Sequence, residues 1–352
     1  MKLIEKAVSS IAAPDSDAYK RAAARCDSLI KPPGSLGALE DIAARICAVT
    51  GRARPSVGKK AVVIFAGDHG IEAEGVSAFP KEVTRQMVGN FLSGGAAASV
   101  LARHAGADIF VVDAGVDFDF PRSSGVISKK VAKGTRNFLK SPAMTKKQAA
   151  AAVEAGIEVA FDLADKGCQM AAPGDMGIAN TSAAAAVVCA TFGVSPEQIV
   201  GAGAGLSRPG VEKKTRVVAR ALKKHFPSGS PAPAMDVLAK VGGFEIGAIA
   251  GMAIGLAARR IPVVVDGFIS TAGMCLALGI APAARDYLFF SHKSSERGHA
   301  KTLKLLGARA RMDFGMRLGE GTGALIMFSV IEGAVKLFNR MATFESAGVS
   351  KG

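Results

Sequence analysis

Five short apolar runs dominate the pattern of this 352-residue chain: residues 61–65 (AVVIF), 109–112 (IFVV), 199–200 (IV), 262–265 (PVVV) and 287–290 (YLFF). Each ends on glycine or a polar turn, and helix-like segments lie between them at 146–163, 213–224 and 244–259. Runs this short with no polar alternation suit strands buried on both faces. Strands of that kind alternating with helices predict an α/β fold, a three-layer, doubly wound, mainly parallel sheet of Rossmann-like type. The run ends carry Gly67-Asp68-His69-Gly70, Asp113-Ala114-Gly115, Gly201-Ala202-Gly203-Ala204-Gly205, Asp266-Gly267 and Ser291-His292. Ligands of parallel sheets bind beyond the carboxyl ends of the strands, so these ends point to one shared site.

The first ~50 residues and the segment 324–344 read as helix. They predict a small helical lobe, 1–54 with 324–352, beside a large α/β domain over approximately 55–320, the whole forming a single unit. Residues 246–258 and 267–284 read as buried core helix, because Ser270, Thr271, Gly273, Gly279 and Pro282 interrupt the longest uncharged run. No membrane span is expected. The N-terminus lacks an apolar signal core, and five scattered cysteines form no CxxC, so reduced thiols and a cytoplasmic location are expected.

The net charge of +14 favours anionic partners. The basic residues are dispersed, with no long tract and little aromatic interleaving, which argues against nucleic acid and leaves a small phosphorylated ligand or plain solubility. No HExxH or Cys/His spacing suggests a metal, so neither metal nor cofactor is expected, and Asp68-His69 reads as a structural pair. The segment 174–182 (GDMGIANTS) precedes an alanine-rich helix. A helix start with accessible amides and two hydroxyls suits a phosphate, although an ordinary capped helix explains it about as well. The GAGAG run is only a loose dinucleotide pattern, and a tight turn is its simpler reading. Lys214 could reach an anion or sit in solvent. Glu320, between Gly319 and Gly321, is a carboxylate that a planar ligand can approach closely, or simply a helix-start glutamate.

Taken in order and spacing, KPPGSLGAL (31–39), Asp68-His69-Gly70, Pro142-Ala143-Met144, the 174–181 loop, Val241-Gly242-Gly243-Phe244-Glu245, Asp266-Gly267-Phe268, Ser291-His292 and MRLGEGTG (316–323) resemble the nicotinate-nucleotide:dimethylbenzimidazole phosphoribosyltransferase family. The resemblance spans residues from near 29 to near 335. It implies a homodimer that transfers phosphoribose from nicotinate mononucleotide to a benzimidazole, giving α-ribazole 5′-phosphate for the nucleotide loop of cobalamin. It places the general base on Glu320. It places the donor phosphate on Gly177, Ile178, Ala179, Asn180 and Thr181, with Lys214 and Arg317 nearby and Asp175 in the same loop. Gly203 and Ser291 fall near the nicotinate or ribose. Phe79, Gln86, Met87 and Leu318 fall around the acceptor.

The chain departs from the family pattern in three places. Asp175 stands where the family has glutamate, the strand expected at 170–173 (MAAP) is weak, and Phe79 and Met87 make the acceptor stretch more apolar. Some relatives take other benzimidazoles, purines or phenolics. A different acceptor, or a non-catalytic donor-binding partner subunit, therefore stands beside the main reading.

Overall fold

A computed structural model describes residues 1–350. Its sheet has six strands: β1 (Lys60–Gly67), β2 (Ala107–Gly115), β3 (Ile127–Ser128), β4 (Met170–Met176), β5 (Val263–Val265) and β6 (Leu288–Phe290). They lie in the order β3-β2-β1-β4-β5-β6, and every pairing is parallel. This is the doubly wound nucleotide-binding order, and its direction reverses between β1 and β4.

β1 is buried along its whole length. Its alternate residues face opposite layers. Val62 and Ile64 lie under the turn at 320–321 and the adjoining Gly174, while Gly67 lies against Glu245 at the start of helix Phe244–Ala258. The 320–321 turn and the start of helix Phe244–Ala258 therefore sit on opposite sides of one strand.

β4 is the strand that composition hides. Two alanines, a proline and a glycine have weak strand propensity, yet β4 pairs with β1 over seven residues. Pro173 is tolerated because its carbonyl accepts from the Ser270 hydroxyl at 2.9 Å, and the β4–β5 pairing is confined to Ala171 and Val263. The missing amide thus interrupts no ladder. Conversely, the strand expected at Ile199-Val200 is absent: both amides bond back to the Pro196 carbonyl at 3.0 and 2.8 Å, which continues the short 3-10 turn Pro196–Gln198.

Small residues set the helix packing. Helix Lys146–Asp165 lies directly on helix Phe244–Ala258, and their backbones touch where a side chain would not fit. A β-carbon at Gly251 would overlap the Val153 carbonyl, and one at Gly156 would overlap the Ala248 carbonyl. Helices Phe244–Ala258 and Phe268–Ile280 are buried almost throughout, as expected for core helices.

Helices Ser16–Ser28 and Ala38–Thr50 share a second, small core of Ala22, Cys26, Ala43, Ala44, Cys47 and Phe338 with the end of helix Thr322–Arg340. The first helix, Lys2–Ser9, instead packs its Ile4 and Ala7 into the main core. Helix Thr322–Arg340 is long and apolar enough to cross a membrane by length and composition, but its Leu325, Phe328 and Ile331 are core residues. All five cysteines are free and buried, and burial pushes the Cys189 and Cys275 thiols up to about 12.

Gly251→Ala should destabilise the protein by about 1–3 kcal/mol or more, because the obstructing atom is backbone. Gly333→Ala, where a β-carbon meets nothing within 4 Å, should be neutral or stabilise by up to about 1 kcal/mol. Paired denaturant titrations check both; equal effects would contradict the close-packing account.

Candidate active site

A cleft of about 660 Å³ opens at the carboxyl ends of β1 and β4, where the strand order reverses. Two turns face each other across it. One follows β4 and leads into helix Asn180–Phe192; the other leads into helix Thr322–Arg340.

No side chain caps the start of helix Asn180–Phe192; its Asn180 and Ser182 amides bond back to the Gly177 and Ala179 carbonyls at 3.1 and 2.9 Å. Ala179, at the N-cap position, is left-handed (φ 71°), and the Ile178 amide donates to the Thr84 hydroxyl at 3.1 Å. Asp175 accepts from the Asn180 amide group at 3.0 Å. Burial, reinforced by the charge of Asp266, holds its carboxyl well above the usual range. Lys214 is buried behind this turn and donates to the Thr181 hydroxyl at 2.7 Å. Burial brings its ammonium down to about 8, partly offset by Glu296.

The facing turn holds three consecutive left-handed residues: Gly319 (φ 86°), Glu320 (φ 61°) and Gly321 (φ 79°). Glycine adopts this conformation freely, whereas a residue with a β-carbon does so at a cost of about 1–2 kcal/mol. Glu320 is therefore the strained member. Its side chain lines the cleft, is 8% exposed, and has a buried Oε2 without a hydrogen-bond partner. Burial raises its pKa to about 7; the Ala98 amide opposes this and the charge of Asp266 adds to it.

The cleft wall contains Asp175, Gly177, Ile178, Asn180, Thr181, Gly203, Arg317, Phe79, Met87, Leu318 and Glu320 among the residues singled out from sequence. Ala179 and Lys214 stand directly behind that wall. Ser291 is fully buried, its hydroxyl 3.4 Å from the Asp266 carbonyl and 3.2 Å from His292 Nδ1. Gln86 lies exposed on helix Glu82–Ser93 and is not part of the wall.

Three residues that shape the site have no role assigned from sequence. Glu296 lines the cleft and accepts the Gly203 amide at 3.1 Å, while Arg317 donates to the Gly203 carbonyl at 2.9 Å, so the two side chains clamp the GAGAG turn. Thr84 anchors the β4 turn. Asp266, at the end of β5, accepts the amides of Gly321, Gly323 and Ala324 at 3.1, 2.8 and 3.2 Å. Of these three, Asp266 stands in a quoted motif and Thr84 lies within the acceptor stretch 79–87, whereas nothing local marks Glu296. His69 does have a carboxylate partner, but a distant one in sequence: Nε2 lies 2.6 Å from Glu245, both fully buried. Burial pulls His69 down, and the charge and hydrogen bond of Glu245 outweigh it, so its pKa is raised. No group of three or more metal-ligating side chains occurs among the described residues.

A family model described as a phosphoribosyltransferase matches residues 11–349. The nicotinate-nucleotide–dimethylbenzimidazole phosphoribosyltransferase of Geobacter sp. strain M21 is 50% identical over 350 residues, 99% of this chain and 100% of the relative. The enzyme of that name from Chloroflexus aggregans is 48% identical over 351 residues, covering 100% of this chain and 99% of its own. The crystal structure of the Thermus thermophilus enzyme superposes with a TM-score of 0.90 at 44% identity, covering 96% of this chain and 100% of its own. With a doubly wound sheet, a helix-start turn and a Gly-Glu-Gly turn facing each other at its switch point, and relatives matched end to end, this chain belongs to the nicotinate-nucleotide–dimethylbenzimidazole phosphoribosyltransferase family.

Proposed function

We propose that this protein transfers the phosphoribosyl group of nicotinate mononucleotide to 5,6-dimethylbenzimidazole, releasing nicotinate and α-ribazole 5′-phosphate. The observation that carries the reading is Glu320: one carboxylate held at the cleft wall in a left-handed turn, with an unpartnered oxygen and a pKa raised to about 7.

The chemistry requires one base and no acid. Nicotinate leaves through its pyridinium nitrogen, so the electron pair of the breaking C1′–N bond neutralises the ring without a proton. One nitrogen of the benzimidazole attacks C1′ from the opposite face, which inverts the β-configuration to α. Glu320 takes the N–H proton from the acceptor's other nitrogen. Holding both planar rings across the ribose supplies much of the acceleration.

The start of helix Asn180–Phe192 suits the 5′-phosphate, because the helix dipole favours an anion there, with the Thr181 hydroxyl tied to the Lys214 ammonium beside it. Phe79, Val83, Met87 and Leu318 give the acceptor end an apolar lining that fits the methylated edge of a bicyclic ring. That lining supports dimethylbenzimidazole over more polar bases. We also read the protein as a cytoplasmic homodimer. The free buried cysteines support the first, and the exposed apolar Leu92 and Val100 are side chains a second copy could cover.

Incubating the protein with nicotinate mononucleotide and an acceptor panel, with nicotinate release and product mass as readouts, should favour dimethylbenzimidazole. Glu320→Gln should lower turnover by about 10²-fold or more while donor binding survives; near-normal turnover would remove Glu320 as the base. Because the base must be unprotonated, kcat/KM should rise with pH to a plateau above about 7 and fall about tenfold per unit below it. The stability sign follows from the same shift. A carboxyl whose folded pKa lies above its unfolded value costs nothing while protonated, and the cost grows as pH rises from 4.5 through 7. Glu320→Gln should therefore raise the melting temperature at pH 8 by roughly 2–4 °C and change it little near pH 4.5.

A further inference from the structure

Glu320 cannot hold its conformation unaided. Three consecutive left-handed residues precede a helix whose start has no side-chain cap from its own N-cap residue, Gly321. Thr322 closes the turn locally, its amide and hydroxyl both donating to the Gly319 carbonyl at 3.0 and 2.8 Å, and the amides that follow are held from another strand. Asp266 ends β5, is 1% exposed, and does not line the cleft. Its Oδ2 accepts the Gly321 amide at 3.1 Å, and its Oδ1 accepts those of Gly323 and Ala324 at 2.8 and 3.2 Å. Both carboxylate oxygens are thus used on the residues just after Glu320. The fit is close on the other side too: a β-carbon at Gly323 would overlap the His292 ring, whose Nδ1 lies 3.8 Å from Asp266.

We infer that Asp266 is a positioning residue for the base: it acts through the backbone of the 319–324 turn to aim Glu320 into the cleft. The inference rests on Glu320 being the base. Thr322 ties its hydroxyl to the Gly319 carbonyl and so cannot accept the helix-start amides, which the buried aspartate from another strand takes instead. A local cap would satisfy the amides but leave no charge behind the turn.

Other charged groups bear on this environment. Asp175, at the end of β4, feels the charges of both Asp266 and Glu320. Glu245, from helix Phe244–Ala258, adds to the field on Asp175 and is paired with His69. His292, after β6, offsets part of the burial cost of Asp266, as do the amides of Ala324, Gly267 and Gly323. Beside Glu320 the Ala98 amide works in the opposite direction, lowering its pKa. Arg317, also in the cleft wall, is committed to the Gly203 carbonyl.

Asp266→Asn separates positioning from mere folding. The amide keeps the volume but removes the charge and turns one acceptor into a donor facing an N–H. Turnover with nicotinate mononucleotide and dimethylbenzimidazole should fall at least about tenfold, with the donor KM within about threefold, since small misplacements of a catalytic group cost rate before binding. The acid limb of the pH profile should move to lower pH. Asp266→Glu, which keeps the charge at a changed reach, should lose turnover without that downward move. A residue that only stabilised the fold would lower the melting temperature and leave the acid limb in place, and that result overturns the inference.

Glu320→Gln run alongside keeps the two claims apart. If Glu320→Gln is active, the base assignment falls; if it is inactive and Asp266→Asn keeps both wild-type turnover and its acid limb, only the present inference falls. Should Asp266→Asn fail to fold, carboxyl 13C NMR of the wild-type enzyme decides, with the Glu320 resonance assigned by its loss in Glu320→Gln. Titration of Glu320 near 7, dependent on the state of a second carboxyl, is expected. A single step in the ordinary carboxylate range would overturn the inference.

Discussion

A carboxylate kept out of water with no cation to hold it is an unstable arrangement, and the centre of this protein is organised around one. Glu320 has a buried oxygen without a partner and sits in a left-handed turn that disfavours any residue with a β-carbon. Glycine on both sides removes the steric cost from its neighbours, and the buried Asp266 ties down the backbone that follows. The strain and the desolvation fall on the residue whose basicity the proposed chemistry needs. Local cost of this kind persists only where the surroundings over-determine it. Here the surroundings are the ends of β1, β4 and β5, the most buried part of the sheet.

The same economy of volume runs through the fold. The phenylalanines of the core are spread among many alanines and glycines, and there is no tryptophan. Where helices meet, the chain brings backbones together, as at Gly156 and Gly251, and it threads an alanine-rich helix behind the turn at 174–182. Close approach of helices makes the scaffold stiff, and a stiff scaffold holds two turns at a fixed separation across a cleft. The catalytic reading depends on that separation, because two flat rings must lie on opposite faces of one ribose.

Much of this was legible in the sequence because it was written in local patterns. The runs at 61–65, 109–112, 262–265 and 287–290 are apolar throughout and became strands. The turn at 174–182 and the Gly-Glu-Gly turn were visible as small residues around a few polar ones, although each had an ordinary alternative until the structure put both on one cleft. What escaped was written in contacts between distant segments. β4 has poor strand propensity and forms because β1 offers it a full ladder. Ile199 and Val200 have good propensity, but a proline turn takes their amides. Lys214 read equally well as a surface lysine; its burial depends on Thr181 and Gly201, which lie 33 and 13 residues away. The partners of His69, Gly203 and the 319–324 turn, namely Glu245, Glu296 and Asp266, are likewise set by tertiary packing.

The central claim is that Glu320 faces the N–H of an acceptor whose other nitrogen faces C1′. A crystal structure of Glu320→Gln with nicotinate mononucleotide and dimethylbenzimidazole both bound tests it most directly. The account predicts the side-chain amide of residue 320 within about 2.6–3.2 Å of one ring nitrogen, with the second nitrogen directed at C1′ opposite the nicotinate. An acceptor ring bound with neither nitrogen within reach of residue 320 would contradict it.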